Sequence, residues 1–273
     1  MAATKAGVTP LHSASGTGHT EVAKLLVDEG ASIMAATWRG FTPLHTAAQY
    51  GHCQVTKLLI EKGATVRTER RDGWTPLHSA SANGHTKVVK LLLANPDIET
   101  SRVGNFGHTA LFVASRYGQV SVVQILLADG RIDPGIKDWS GSIALFAAVR
   151  NGHFEVVKLL LTSVGTRTES LDGFGLSLFW WARRTGNSRI LQLLEQHAER
   201  TGSPIPDDPS PVEPISVRFD PQLSWCDACT LTIPEGGENL CKMCQDSDFH
   251  LCAECFDSVR VQCHNGTHVP AQL

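Results

Sequence analysis

Apolar residues in the first 200 positions follow a helical pattern that glycine interrupts at regular intervals. Segments such as EVAKLLVDEG and QVTKLLIEKG place leucine and valine at helical spacing, with charged residues between them. A shorter alanine-rich segment precedes each of them, and a glycine separates the two. This pattern predicts six helix–turn–helix units whose anchor glycines recur every 33 or 34 residues, namely Gly18, Gly51, Gly84, Gly118, Gly152 and Gly186.

One phrase recurs with this period, as TPLHSASGTGH at Thr9, TPLHTAAQYGH at Thr42 and TPLHSASANGH at Thr75. Repetition indicates a structural motif, because a catalytic motif normally occurs once. Threonine suits the N-cap of a helix and proline its first turn. We expect the histidine to form hydrogen bonds within and between units. Later units carry TALF, IALF and SLFW instead, so the sequence leaves their internal hydrogen bonding open.

Small and apolar residues recur at fixed places in each unit. Alanine in the first helix lets neighbouring helices approach, leucine pairs in the second helix fill the layer between units, and glycine supplies a left-handed backbone where helices end. The alanines are at positions 14, 47, 80, 114, 148 and 182. No single unit can bury its apolar face alone, so the stack itself is the fold.

The TPLH phrase and its period resemble the ankyrin repeat over roughly residues 4 to 199. The resemblance implies a mainly α fold within residues 1–200, an ankyrin-repeat solenoid of six helix–turn–helix units with hairpin loops. It also implies protein binding through the hairpin tips and the concave helix face. The first unit reads like an internal one, so we expect either a longer array or another surface that covers its N-terminal face.

Two sets of residues are candidates for partner binding on such a stack. Trp38 and Trp139 occupy equivalent hairpin positions, with Phe106 and Phe174 one position further along. They would anchor an interface, or they would stack on neighbouring hairpins. In the first helices a column of arginines would line a groove for an acidic peptide, or would simply suit the helix C-terminus. These are Arg116, Arg150 and Arg184, and the next column holds Tyr50 and Tyr117.

The composition changes after the repeats. Six of the thirteen prolines fall between residues 201 and 224, where there is little periodic apolar pattern. Proline stiffens an extended chain and ends helices, so this stretch is interpreted as a linker. The segment 225–273 then holds seven of the eight cysteines.

Cysteines in this last segment form three C-x2-C pairs followed by a cysteine and two histidines. Two-residue gaps let both thiolates of a pair reach one ion, and structural zinc takes four such ligands. We expect no export signal in this protein, so metal binding is favoured over disulfides. The series supplies ligands for two zinc ions: Cys226, Cys229, Cys241, Cys244, Cys252, Cys255, Cys263, His264 and His268.

This segment resembles a ZZ-type zinc finger through CDAC, CKMC and DFHLCAEC. The resemblance implies a small two-zinc cross-brace domain. One ion would be held by Cys226, Cys229, Cys252 and Cys255. The second would be held by Cys241, Cys244, His264 and His268, with Cys263 as the alternative to His264.

Some ZZ domains bind the free N-terminus of a partner, and the residues that match their acidic positions are Asp227 and Asp248. A carboxylate pair would hold the amine by charge-assisted hydrogen bonds. His250 replaces the third acidic residue, which weakens the match.

Composition narrows the function classes. The net charge of −3 and the two basic residues after Trp225 disfavour nucleic-acid binding. The sequence shows no signal peptide, no membrane-spanning run, and no nucleophile–base pair or phosphate loop that would suggest an enzyme or a small-molecule substrate. We therefore expect a cytoplasmic or nuclear, non-enzymatic adaptor that binds other proteins. The alternatives are a substrate-recognition component of a ubiquitin-ligase or N-terminus-recognition pathway without its own RING, and a nucleic-acid-associated regulator.

Overall fold

The computed structural model describes residues 3–163, 168–173 and 175–207, and the backbone of four short strands between residues 238 and 267. The described part of the chain separates into two compact units: the first runs to Asp138 and also includes Ser163, and the second holds the other described residues from Trp139 onward.

The first unit consists of four helical pairs that coincide with the first four predicted repeats. Its first helices pack on one another in sequence, α1 on α3, α3 on α5 and α5 on α7, and its second helices do the same. The bounds are α1 Pro10–Thr17, α2 Thr20–Asp28, α3 Pro43–Gln49, α4 Cys53–Glu61, α5 Pro76–Ala82, α6 Thr86–Leu93, α7 Ala110–Arg116 and α8 Val120–Ala128.

The second unit holds two further helical pairs, which match the last two predicted repeats. Here α9 packs on α10 and α11, while α12 packs on α10 and α11. The bounds are α9 Ala144–Arg150, α10 Phe154–Thr162, α11 Leu178–Arg184 and α12 Ser188–Thr201.

The TPLH phrase caps the first helix of each early repeat, as the sequence predicts. In α1, Thr9 lies in extended backbone and its Oγ1 accepts a hydrogen bond from the backbone N–H of His12 at 3.4 Å. Proline occupies the first helical turn, where its missing N–H leaves no bond unmade.

The core consists of the predicted small and apolar positions. All six repeat alanines are buried, with exposed fractions of 6% or less, so the first helices approach closely. Val55, Val88 and Val122 in the second helices of the first unit are fully buried. Val22, at the equivalent position of the first repeat, is 47% exposed. The prediction that another surface covers this face stays a prediction.

Glycine ends the first helices where a left-handed backbone is required, which confirms the expectation. Gly18 has φ +75°, and an added Cβ would lie 2.4 Å from Nδ1 of His52. That ring donates from Nε2 to the carbonyl oxygen of Gly16 at 2.9 Å, so the glycine makes room for a link between repeats.

Beyond the repeats, the backbone of four short strands is described. Strand β1 (Glu238–Leu240) pairs antiparallel with β2 (His250–Cys252), and β3 (Gln262–Cys263) pairs antiparallel with β4 (Gly266–Thr267). The fold class predicted from the sequence named no strands in this segment.

Candidate protein-interaction site

Each hairpin tip of the first unit is a tight turn closed by backbone hydrogen bonds. In the second repeat, the N–H of Thr37 donates to Phe41 O at 2.9 Å, and the N–H of Gly40 donates to Thr37 O at 2.8 Å. Gly40 has φ +83°, and an added Cβ would lie 2.9 Å from Cα of Arg70 in the next tip. The tips are therefore regular, and adjacent tips lie against each other.

Backbone hydrogen bonds also join successive tips and fix their register. The N–H of Trp38 donates to Ala6 O at 3.1 Å, and that of Arg71 donates to Arg39 O at 3.0 Å. The N–H of Asn105 continues the pattern at 2.9 Å from Asp72 O. One equivalent position on consecutive tips therefore forms a row of four residues, Lys5, Trp38, Arg71 and Asn105, which we call the tip row.

Trp38 is the aromatic residue of the tip row and remains 44% exposed. The guanidinium of Arg39 lies 4.8 Å from its ring centroid and that of Arg71 lies 5.8 Å away. Both distances fall within the range of cation–π attraction. The ring thus contacts side chains of its own and the next tip, and part of it remains exposed to solvent. Its environment is compatible with both interpretations from the sequence, an interface anchor and a ring that packs on neighbouring hairpins.

Arg70, next to Arg71 of the tip row, is mostly buried and contacts two aromatic rings and a carboxylate. Its guanidinium lies 4.4 Å from the ring centroid of Phe41 and 4.8 Å from that of Trp74, and it pairs with Asp72. Asp72 also accepts the backbone N–H of Trp74 at 3.1 Å, which ties the ion pair to its own turn. Arg70 therefore stabilises the packing of its own tip against the preceding one.

The other predicted tip aromatics differ in accessibility. Trp139, in the second unit, is 54% exposed on a tip whose Ser140 carbonyl accepts the N–H of Gly173 at 2.6 Å. Phe106 is half-buried, with its ring 5.8 Å from that of His108. Phe174 lies outside the described residues.

The three arginines of the column are buried and each is the last residue of its helix, which disfavours the open-groove interpretation and fits the alternative of a helix C-terminus. Arg116, Arg150 and Arg184 are 5%, 0% and 9% exposed. For Arg150 the neighbours explain this burial, because Trp181 occupies a position where the earlier repeats have smaller residues. The guanidinium of Arg150 lies 4.2 Å from the ring centroid of Trp181 and 5.5 Å from that of Phe146.

Asp172 completes this buried cluster in the second unit and was not identified from the sequence. Its Oδ2 accepts hydrogen bonds from Nη2 of Arg150 at 2.5 Å and from Nε1 of Trp181 at 2.7 Å. Its Oδ1 accepts the backbone N–H of Leu176 at 3.0 Å. Asp138 lies three residues before the tip glycine of the preceding repeat, as Asp172 does in its own repeat, and this Asp-x-x-Gly spacing is the signal that could have indicated a carboxylate here.

Histidines of the TPLH phrase form the predicted hydrogen bonds within and between repeats. Nδ1 of His45 accepts the backbone N–H of Thr42 at 3.3 Å, so the ring proton is on Nε2, which donates to Trp74 O in the next repeat at 3.0 Å. His78 repeats this arrangement and donates to His108 O at 3.0 Å. Both ring nitrogens are used, so these histidines bind the stack together.

Burial keeps these histidines neutral. Desolvation by burial lowers the pKa of His45 and of His78 from 6.5 to about 4. The hydrogen bond from each ring to a backbone carbonyl acts in the opposite direction and raises the pKa, but its effect is smaller. Burial likewise lowers the pKa of His12. A neutral ring is the form that this geometry requires, because Nδ1 must keep its lone pair to accept the hydrogen bond from the threonine N–H.

Most of the predicted zinc ligands lie outside the described residues, as do Asp227 and Asp248. Only Cys252 in β2 and Cys263 in β3 have a described backbone. The positions without a description are Cys226, Cys229, Cys241, Cys244, Cys255, His264 and His268. In the described ranges no group of histidine, cysteine and acidic side chains is arranged to hold a metal ion.

Comparison with known families identifies the repeats. A family model for ankyrin repeats (3 copies) matches residues 2–70, 65–138 and 94–172. The chain therefore belongs to the ankyrin-repeat family, whose repeats are generally non-enzymatic protein-interaction modules. A search of curated proteins found no match to the chain. None of the helices in the described residues has the length and apolar character needed to cross a membrane.

Proposed function

We propose that this chain is a non-enzymatic adaptor whose ankyrin surface binds a protein partner. The exposed tryptophan on a hydrogen-bonded row of tips carries this proposal. Rigid aromatic side chains make strong interface anchors because little conformational freedom is lost on binding. Polar groups that resemble catalytic residues, such as the TPLH histidines, are already used between repeats.

The C-terminal segment adds a second binding module in this proposal. The spacing of its cysteine pairs supports two structural zinc sites in a ZZ-type finger, and Asp227 and Asp248 would hold the amine of a partner's N-terminus. Two modules on one chain raise the local concentration of each for a partner that offers both motifs. The adaptor would then owe its affinity to two modest contacts.

Affinity capture with the full chain, before and after treatment with a zinc chelator, tests this function. Partners that remain after chelation belong to the repeats, and partners that are lost belong to the zinc module. Paired peptides with free and acetylated N-termini then test amine recognition directly, and equal affinity for both removes it. Capture of no specific protein under either condition would contradict the adaptor function.

A further inference from the structure

The tip row combines positive charge with an exposed aromatic ring. Lys5 and Arg71 occupy the same turn position as Trp38 on either side of it, and both are exposed. Arg39 adds a third cation, with its guanidinium 4.8 Å from the Trp38 ring centroid. Two guanidinium groups therefore lie near one accessible indole, and Lys5 adds a cation on the preceding tip.

Carboxylates on these tips do not neutralise Lys5 and Arg71. Asp72 pairs with Arg70, and Glu69 pairs with Arg102. Among the described residues, the ion pairs of nearby arginines involve Arg67, Arg70 and Arg102, and none involves Lys5 or Arg71. The tip row thus presents a positive potential that an acidic partner would complement.

We propose that the tip row binds an acidic segment of a partner protein. An apolar side chain of that segment packs on Trp38, while carboxylates on either side of it pair with Lys5 and Arg71. This inference rests on the proposed protein-binding function and names the class of partner for the tips. Guanidinium groups bind carboxylates well because their N–H donors match the two oxygens.

The repeat geometry sets the spacing expected in the partner. Neighbouring helices pack about 8–10 Å apart, so equivalent tip residues recur at about that distance. An extended chain advances about 3.3 Å per residue, so one repeat corresponds to roughly three partner residues. The favoured motif is therefore acidic-x-x-apolar-x-x-acidic in an extended conformation.

Selection of binders from a random peptide display library on the immobilised full chain tests the proposal. The expected peptides are enriched in acidic residues on both sides of an apolar residue. Their affinity for the chain should fall about tenfold with Trp38→Ala and about tenfold with Arg71→Glu, and should weaken as salt rises. Circular dichroism of each variant checks that the repeats remain folded.

Two matched variants serve as controls. Lys57→Glu changes an exposed cation on α4 that pairs with Glu61 at 3.7 Å, and Tyr50→Ala removes an aromatic ring that is 58% exposed beside the first helices. Both should leave peptide affinity within about twofold, since neither residue belongs to the tip row.

The other outcomes separate this inference from the proposed function. Peptides that bind but do not respond to Trp38→Ala or Arg71→Glu, or that respond to Tyr50→Ala instead, overturn the tip-row inference and leave protein binding standing. Arg71-dependent binding of a single-stranded oligonucleotide tighter than any peptide also overturns it. Recovery of no binding peptide contradicts the adaptor function as well.

Discussion

Replacement of one buried histidine should change how stability depends on pH. We choose His78→Phe because phenylalanine occupies the equivalent position in the next repeat, at Phe112. At pH 7.5 the variant loses the bonds of Nε2 to His108 O and of Nδ1 to the N–H of Thr75. A hydrogen bond contributes about 1 kcal/mol and an unsatisfied buried partner costs about 1–3 kcal/mol, so the variant should be less stable by about 1–3 kcal/mol.

At lower pH the difference in stability between the original protein and the variant should shrink. The pKa of His78 is 6.5 when unfolded and is lowered to about 4 by burial in the folded chain. Between these values the unfolded state binds the proton and the folded state does not, so the free energy of unfolding falls as pH falls. The contribution of His78 is fully present above pH 6.5, and about 3 kcal/mol of it is lost by pH 4.

Urea unfolding of both proteins at several pH values, followed by circular dichroism, measures this effect. The destabilisation caused by His78→Phe should shrink below pH 6.5 and vanish or change sign near pH 4. Leu77→Ala is the control, because it removes a buried side chain without removing a titrating group, and its destabilisation should be constant with pH. If the destabilisation caused by His78→Phe were also constant with pH, the conclusion that His78 is buried and neutral would be refuted.

Further predictions concern the other buried contacts and the metal. Arg150→Ala leaves the Asp172 carboxylate buried without its cation and should destabilise the protein by about 3–5 kcal/mol in urea unfolding, whereas Lys158→Ala at an exposed position of α10 should cost less than about 0.5 kcal/mol. Gly51→Ala should cost more in the same assay than Gly63→Ala: both backbones have positive φ, but only at Gly51 would the new Cβ meet His85, at 2.5 Å from Nδ1. Elemental analysis should find two zinc ions per chain, and chelation should leave the helical circular dichroism of the repeats in place, whereas collapse of that signal would contradict separate modules.

The sequence predicted the repeats well because their pattern depends on local chemistry. Threonine, proline and glycine act within a few residues, so the helix starts, the helix ends and the TPLH bonds followed directly from the phrase. The family match confirms this part of the fold.

The arginine column shows what the sequence alone could not decide. The position of Arg150 on its helix was clear, but its burial depends on Trp181 and Asp172, which lie 31 and 22 residues further along the chain. Both contacts are tertiary, and neither residue has a counterpart with the same role in the early repeats. Likewise, the register that places Lys5, Trp38 and Arg71 in one row depends on hydrogen bonds between tips, which no single repeat encodes.

Hydrogen–deuterium exchange of the full chain, free and bound to a selected acidic peptide, tests most directly whether the tips are the binding surface. We expect slower exchange for the turn amides around Trp38 and Arg71, with little change in α2, α4 and α6, the second helices of the first three repeats. Protection confined to those second helices, with unchanged tips, would contradict binding at the tips.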